Sequence, residues 1–126
     1  MTALKKDRLR WVWRACFTSL LVTATGLALL PVTGDMWFPG QDKMMHAASY
    51  AVLYTLGWLS FPGLVFRWPL FVGLLCYGVV IEILQQLTGY RFMELWDVVA
   101  NTLGLGLGCL GIFIWRRLLH GAILPN

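Results

Sequence analysis

The chain has 126 residues, 59% of them hydrophobic and only 13% charged. A soluble domain carries about a quarter charged residues, and here the apolar residues come in blocks rather than at amphipathic spacing, which excludes an ordinary soluble core and points to a small integral membrane protein. The net charge of +4 is unevenly placed and forms no basic patch interleaved with exposed aromatics, so it reads as a set of topology signals and excludes a nucleic-acid surface.

Residues 1–10 are polar and basic, with Lys5, Lys6, Arg8 and Arg10, and Arg14 lies just beyond. A first span is expected over residues 11–30, opened by Trp11 and Trp13 and closed by Pro31. Its apolar run is long and lacks a convincing cleavage site, so it is expected to be retained rather than removed as a signal peptide. Pro31, Gly34, Pro39 and Gly40 break helix propagation through the first loop, residues 32–41. A second span is expected over residues 42–60, where steps of four put His46, Tyr50 and Tyr54 on one face. Phe61-Pro62-Gly63 closes it. A third span covers residues 68–87, and Thr88-Gly89-Tyr90-Arg91 turns the chain. A fourth covers residues 95–115 and is followed by Arg116-Arg117. The fold class is therefore all-α: one domain over residues 1–126, a compact bundle of four transmembrane helices. The three cysteines, Cys16, Cys76 and Cys109, fall inside apolar runs and show neither disulfide nor metal spacing.

With four crossings both termini share one side. That side carries Lys5, Lys6, Arg8, Arg10, Arg14, Arg67, Arg116 and Arg117, against Lys43 and Arg91 on the other. The positive-inside rule then places both termini in the cytoplasm. The acids run the other way: Asp35, Asp42, Glu82, Glu94 and Asp97 fall on or near the outer side, and only Asp7 falls inside.

The outer end holds the strongest functional signal. Glu82 sits near the end of an apolar run, and a carboxylate at a helix centre costs about 2.5–3.5 kcal/mol on insertion scales, less near the interface. With a rise of about 1.5 Å per residue, His46, Glu82 and Asn101 each lie about 6–8 Å below the surface. Three spans thus bring polar side chains to one depth. Asp42, Lys43 and His46 share a face, as do Glu82, Gln85 and Gln86, and Asp97, Asn101, Gly104 and Gly108 form one stripe. Glycines below Asn101 allow a neighbouring helix to come close. Together these features describe a shallow pocket open to the outer surface, with Arg91 at its rim.

Structural readings stand beside these. Asp42 and Glu94 are suited to cap helix N-termini, Asp97 to pair with Arg91, His46 to be a packed, hydrogen-bonded histidine, and Asn101 to bridge helices. Tyr50, Tyr54 and Tyr77 suit packing better than chemistry. Glu82 is the hardest to explain structurally.

Taken as an ordered set, Asp42-Lys43-Met44-Met45-His46 with Tyr50, then Tyr77-Gly78 through Glu82-Ile83-Leu84-Gln85, then Arg91, then Asp97 through Asn101 to Gly104, resemble the VanZ-like family of small bacterial membrane proteins. The match covers about residues 35–115; the first span is generic. The resemblance implies a cell-envelope protein of the bacterial cytoplasmic (inner) membrane, its polar site facing the periplasm or exterior. The family takes its name from a protein associated with low-level resistance to the antibiotic teicoplanin. Its recurrent polar positions map onto Asp42, Lys43, His46, Glu82, Gln85, Arg91, Asp97 and Asn101.

Three functions are open on the sequence. The first is recognition of a polar lipid headgroup or an envelope-active amphiphile, with Asp42, Lys43, Tyr50, Gln85, Arg91 and Asn101 as binding residues. The second is a hydrolase or transferase acting on a lipid-linked substrate. There His46 and Glu82 would be the acid–base pair, Asp97 would orient His46, and Lys43 or Arg91 would stabilise developing negative charge. No serine or cysteine sits with the cluster, which disfavours a covalent mechanism through either. The third is a structural or partner-binding subunit whose polar cluster ties helices together. A metal on His46, Glu82 and Asp97 is a variant of the second, but the spacing is not diagnostic and no metal or cofactor is assigned. The partner expected is a membrane lipid or lipid-linked envelope molecule, with no nucleic acid, and a homo-oligomer through the remaining apolar faces is compatible with the sequence.

Overall fold

The computed structural model describes residues 3–31, 37–63, 67–89 and 94–123. It is all-helical: α1 Ala3–Leu29, α2 Gln41–Ser60, α3 Arg67–Thr88 and α4 Leu95–Ile123. The middle two helices start and stop within a residue of the expected spans. α1 begins eight residues earlier than its expected crossing and α4 runs eight residues past its own. The reason is that hydropathy marks where a helix enters lipid, whereas backbone hydrogen bonding continues while helix formers continue. Leu4-Lys5-Lys6-Asp7-Arg8-Leu9-Arg10 contains neither Gly nor Pro, and Arg10 pairs with Asp7 one turn back at 3.4 Å.

Three helices are long and apolar enough to cross a membrane: Leu4–Leu29, Arg67–Thr88 and Leu95–Leu119. This marks the chain as membrane-spanning. α2 is not among them, because its 20 residues include Gln41, Asp42, Lys43, His46 and Ser60. It is instead the most enclosed helix, packing chiefly on α4 and next on α1. Tyr50, Leu53 and Tyr54 of α2 meet Leu74 of α3 and Leu105 of α4 in the buried core.

Glycines set the closeness of α2 to α4. A Cβ at Gly104 would run into the carbonyl oxygen of Ala47, and one at Gly108 would come within 2.9 Å of the carbonyl oxygen of Ala51. Outside this seam α4 turns Leu103, Leu107, Leu110 and Ile114 outward.

At one end of the bundle the start of α1 meets the end of α2. Arg14 Nε donates to the Ser60 carbonyl at 3.3 Å, and its guanidinium stacks over Trp11 and Phe61. At the other end the termini of α1 and α3 are joined, since Gln85 Nε2 donates to the Ala28 carbonyl at 2.8 Å. Between these, the Tyr77 hydroxyl lies 2.8 Å from Thr25 Oγ1. Gly40 begins α2 with a φ of 83° and no side-chain cap. Asp42, expected as a possible cap, lies in the first turn and turns its carboxylate to Lys43. The three cysteines are free.

Candidate functional site

The site is built where α2 begins, α3 ends and α4 begins. α3 carries Glu82 inward along the stripe Leu74, Gly78, Ile81, Glu82 and Gln85. α4 buries Asp97, Asn101, Gly104 and Gly108 along the expected stripe. Because Gly104 lets α2 sit directly on α4, His46 reaches both neighbours. A ring nitrogen of His46 and one carboxylate oxygen each from Glu82 and Asp97 lie within 4.8 Å of one another. Glu82 is 1% exposed, Asn101 1% and Asp97 6%, so three polar side chains are withdrawn from the surface together.

Hydrogen bonding fixes the histidine. His46 Nδ1 lies 3.1 Å from Asn101 Oδ1. An amide oxygen only accepts, so Nδ1 is the donor, and in the neutral ring Nε2 is then the nitrogen with the lone pair. The other side of the Asn101 amide packs on Gly78, where a Cβ would stand 2.9 Å from Asn101 Nδ2 and 2.7 Å from the Tyr50 hydroxyl. Gly78 is thus the floor of the nook. It lies four residues before Glu82, on the same face of α3, and that spacing was the signal from which its role could have been read.

Above this sits a second layer. Lys43 Nζ donates to Asp42 Oδ2 at 2.8 Å and to Glu94 Oε2 at 2.8 Å, and it lies 3.5 Å from Asp97 Oδ1. Carboxylate oxygens of Asp42, Glu94 and Asp97 themselves lie within 4.8 Å of one another. Asp97 therefore belongs to both layers. Glu94, expected only to cap α4, joins the site through its side chain. Its backbone carbonyl does accept from the Asp97 N–H at 3.0 Å, so the residue opens α4 by its backbone while its side chain crosses to α2. The signal for this was its position three residues before Asp97, at the same end as Lys43.

Removing the ammonium leaves three carboxylates facing one another. Lys43→Met is expected to cost about 1 kcal/mol, a value kept low because 34% of the Lys43 side chain is exposed and screened. The deficit should narrow as pH falls through the carboxylate range, about 4, because protonation relieves the repulsion. Thermal unfolding in detergent at several pH values reads both effects.

The remaining expected residues divide. Tyr50 is buried and stacks obliquely on Tyr77, their ring centroids 6.3 Å apart. Gln85 is buried but spends its amide N–H on α1 rather than on the His46 cluster. Gln86 is exposed and does not share the inward face of Glu82 and Gln85. Arg91 lies outside the described residues, and with it the expected Asp97–Arg91 pair.

Chemically the nook offers one imidazole, carboxylates at two depths, and an ammonium already engaged by acids. Comparison of the chain with protein-family models, with curated proteins and with solved structures finds no match.

Proposed function

We propose that the chain is a four-span, VanZ-like protein of a bacterial cytoplasmic membrane, with both termini inside. Its polar nook opens outward and receives the polar headgroup of a lipid or of an amphiphilic envelope compound. The observation that carries this reading is the convergence of His46, Glu82 and Asp97 from three helices. Ionisable groups placed in the hydrocarbon zone are costly and typically mark substrate or ion pathways. The ordered motifs from Asp42 to Gly104 support the family, and the uneven placement of Lys and Arg supports the orientation. α2 would be the fourth crossing, packed chiefly on α4 and next on α1.

The test is what travels with the protein. Lipids extracted from the purified chain and identified by mass spectrometry should include one retained species near stoichiometry. Its retention should fall about tenfold in Asp97→Asn, the scale of one charge-assisted hydrogen bond. Equal, nonselective lipid content in both proteins would refute the headgroup reading.

Orientation has its own test. Trp37 is 90% exposed beside the site end of α2, and it avoids the positive φ of Gly40. With Cys16, Cys76 and Cys109 replaced by serine, Trp37→Cys should react in intact cells with a membrane-impermeant maleimide. Reaction only after the cells are opened would reverse the orientation.

A second reading has one specific observation in its favour. The Asn101 contact holds His46 in the tautomer of a general base, which suits hydrolysis or transfer on a lipid-linked substrate. Glu82 would be the second proton carrier. Processing that persists in His46→Gln would rule this reading out.

A further inference from the structure

Three groups able to ligate a metal converge in the lower layer. His46 Nδ1 is engaged by Asn101 Oδ1 at 3.1 Å, so Nε2 is the nitrogen that the neutral ring would offer a metal. Glu82 and Asp97 bring carboxylates to the same point, each from a different helix and each buried. Acceptors at such a point need a cation or a proton between them. Asp97 Oδ1 is shielded from solvent and accepts no hydrogen bond among the described residues. The ammonium 3.5 Å from it is held at 2.8 Å by both Asp42 and Glu94.

We propose that His46, Glu82 and Asp97 bind one divalent transition-metal ion, with Zn2+ as the best-fitting probe. One imidazole and two carboxylates are an N,O set suited to zinc or manganese; magnesium and calcium favour oxygen alone. Zinc bonds of about 2.1 Å put tetrahedral ligand atoms about 3.4 Å apart, so the three groups need draw in by no more than about 1.4 Å. The Asn101 contact is the outer support that metal-ligating histidines characteristically have, since it fixes ring orientation and tautomer. Three protein ligands leave a coordination position open on the metal. That position offers an oxygen-rich headgroup a partner in a nook whose own ammonium is taken up by acids. The metal site does not depend on the headgroup reading, and its test contains no lipid ligand.

The experiment uses the full chain in detergent, stripped with a chelator and dialysed. Zn2+ is then titrated by isothermal calorimetry, with bound metal counted by elemental mass spectrometry. One ion per chain is expected, together with a metal-dependent rise in unfolding temperature. His46→Ala, Glu82→Gln and Asp97→Asn should each weaken binding at least tenfold, and Asn101→Ala about tenfold or more. His120→Gln, which removes the chain's other histidine, should bind as the wild type does. Co2+ in place of Zn2+ should give visible absorption bands that His46→Ala shifts or abolishes. Absence of stoichiometric binding by the folded wild type overturns the proposal, whatever the variants do. So does binding that survives in all three ligand variants, or a preference for Ca2+ over Zn2+. Failure of a variant to fold leaves the wild-type stoichiometry, melting shift and cobalt spectrum to decide.

Discussion

Gly104→Leu should separate α2 from α4 and abolish the folded bundle, and even Gly104→Ala should cost about 2–3 kcal/mol. The added Cβ meets the carbonyl oxygen of Ala47, with the Ala47 Cα and carbonyl carbon at 2.9 Å. These are backbone atoms of a packed helix, which cannot rotate aside as a side-chain tip can, so relief requires the helices to part. Parting them also withdraws His46 from Asp97 and Asn101. Gly108→Ala should follow with a smaller loss, because its contact with the Ala51 carbonyl oxygen is 2.9 Å. Gly106 and Gly111 provide the control. Nothing lies within 4 Å of a Cβ at either, so alanine there should be neutral or gain about 0.5–1 kcal/mol from helix propensity. Unfolding of the four variants in one detergent separates seam from surface on a single helix. Equal effects at Gly104 and Gly106 would mean that α2 does not sit on α4 as described.

The second large effect is expected at Asn101. Asn101→Ala removes the acceptor of the His46 Nδ1–H, strands a partly buried donor and opens a void beside Gly78 and Tyr50. The loss should be about 2–3 kcal/mol. Gly78→Ala alone should also destabilise, because its Cβ would crowd Asn101 Nδ2 and the Tyr50 hydroxyl at 2.9 and 2.7 Å. The two changes should not add. With Asn101 shortened, one of the two clashes at Gly78 disappears, so the double variant should be more stable than the sum of the singles implies by about 0.5–1 kcal/mol. Nitrogen-15 spectra of His46 give a separate readout. The wild type should show the Nδ1-protonated tautomer, and Asn101→Ala should show loss of that preference. Strict additivity and an unchanged tautomer together would sever the Asn101–His46 link.

Much of this architecture was legible because membrane helices leave coarse marks. Breaks at Pro31, Phe61-Pro62-Gly63 and Gly89 divided the chain, and α2 and α3 match their expected limits closely. The inward stripe of α4 could be read from steps of three and four, since Asp97, Asn101, Gly104 and Gly108 fall on one side of any helix. Other features could not be read this way. Gln85 and Gln86 are adjacent polar residues, and spacing along α3 does not reveal that α1 ends where Gln85 can reach the Ala28 carbonyl. Glu94 opens α4 by its backbone while its side chain crosses to Lys43, and local sequence reports only the first role. The extensions of α1 and α4 beyond the apolar blocks were invisible to hydropathy, which registers lipid contact and not hydrogen-bonded continuity.

The helix without a stretch apolar enough to span a membrane is also the one wrapped by its neighbours. A segment bearing Asp42, Lys43 and His46 gains little by entering lipid unaccompanied, since polar and charged groups oppose insertion, most of all towards the helix centre. If α2 crosses, its lodging in the bilayer must be a cooperative act, secured by α1 emerging before it and completed when α4 arrives to cover Ala47 and Ala51. Biogenesis would then hold α2 provisionally, in the translocon or at the interface, until the last helix is made, and a chain truncated before Leu95 should leave its second helix prone to slip out of the membrane.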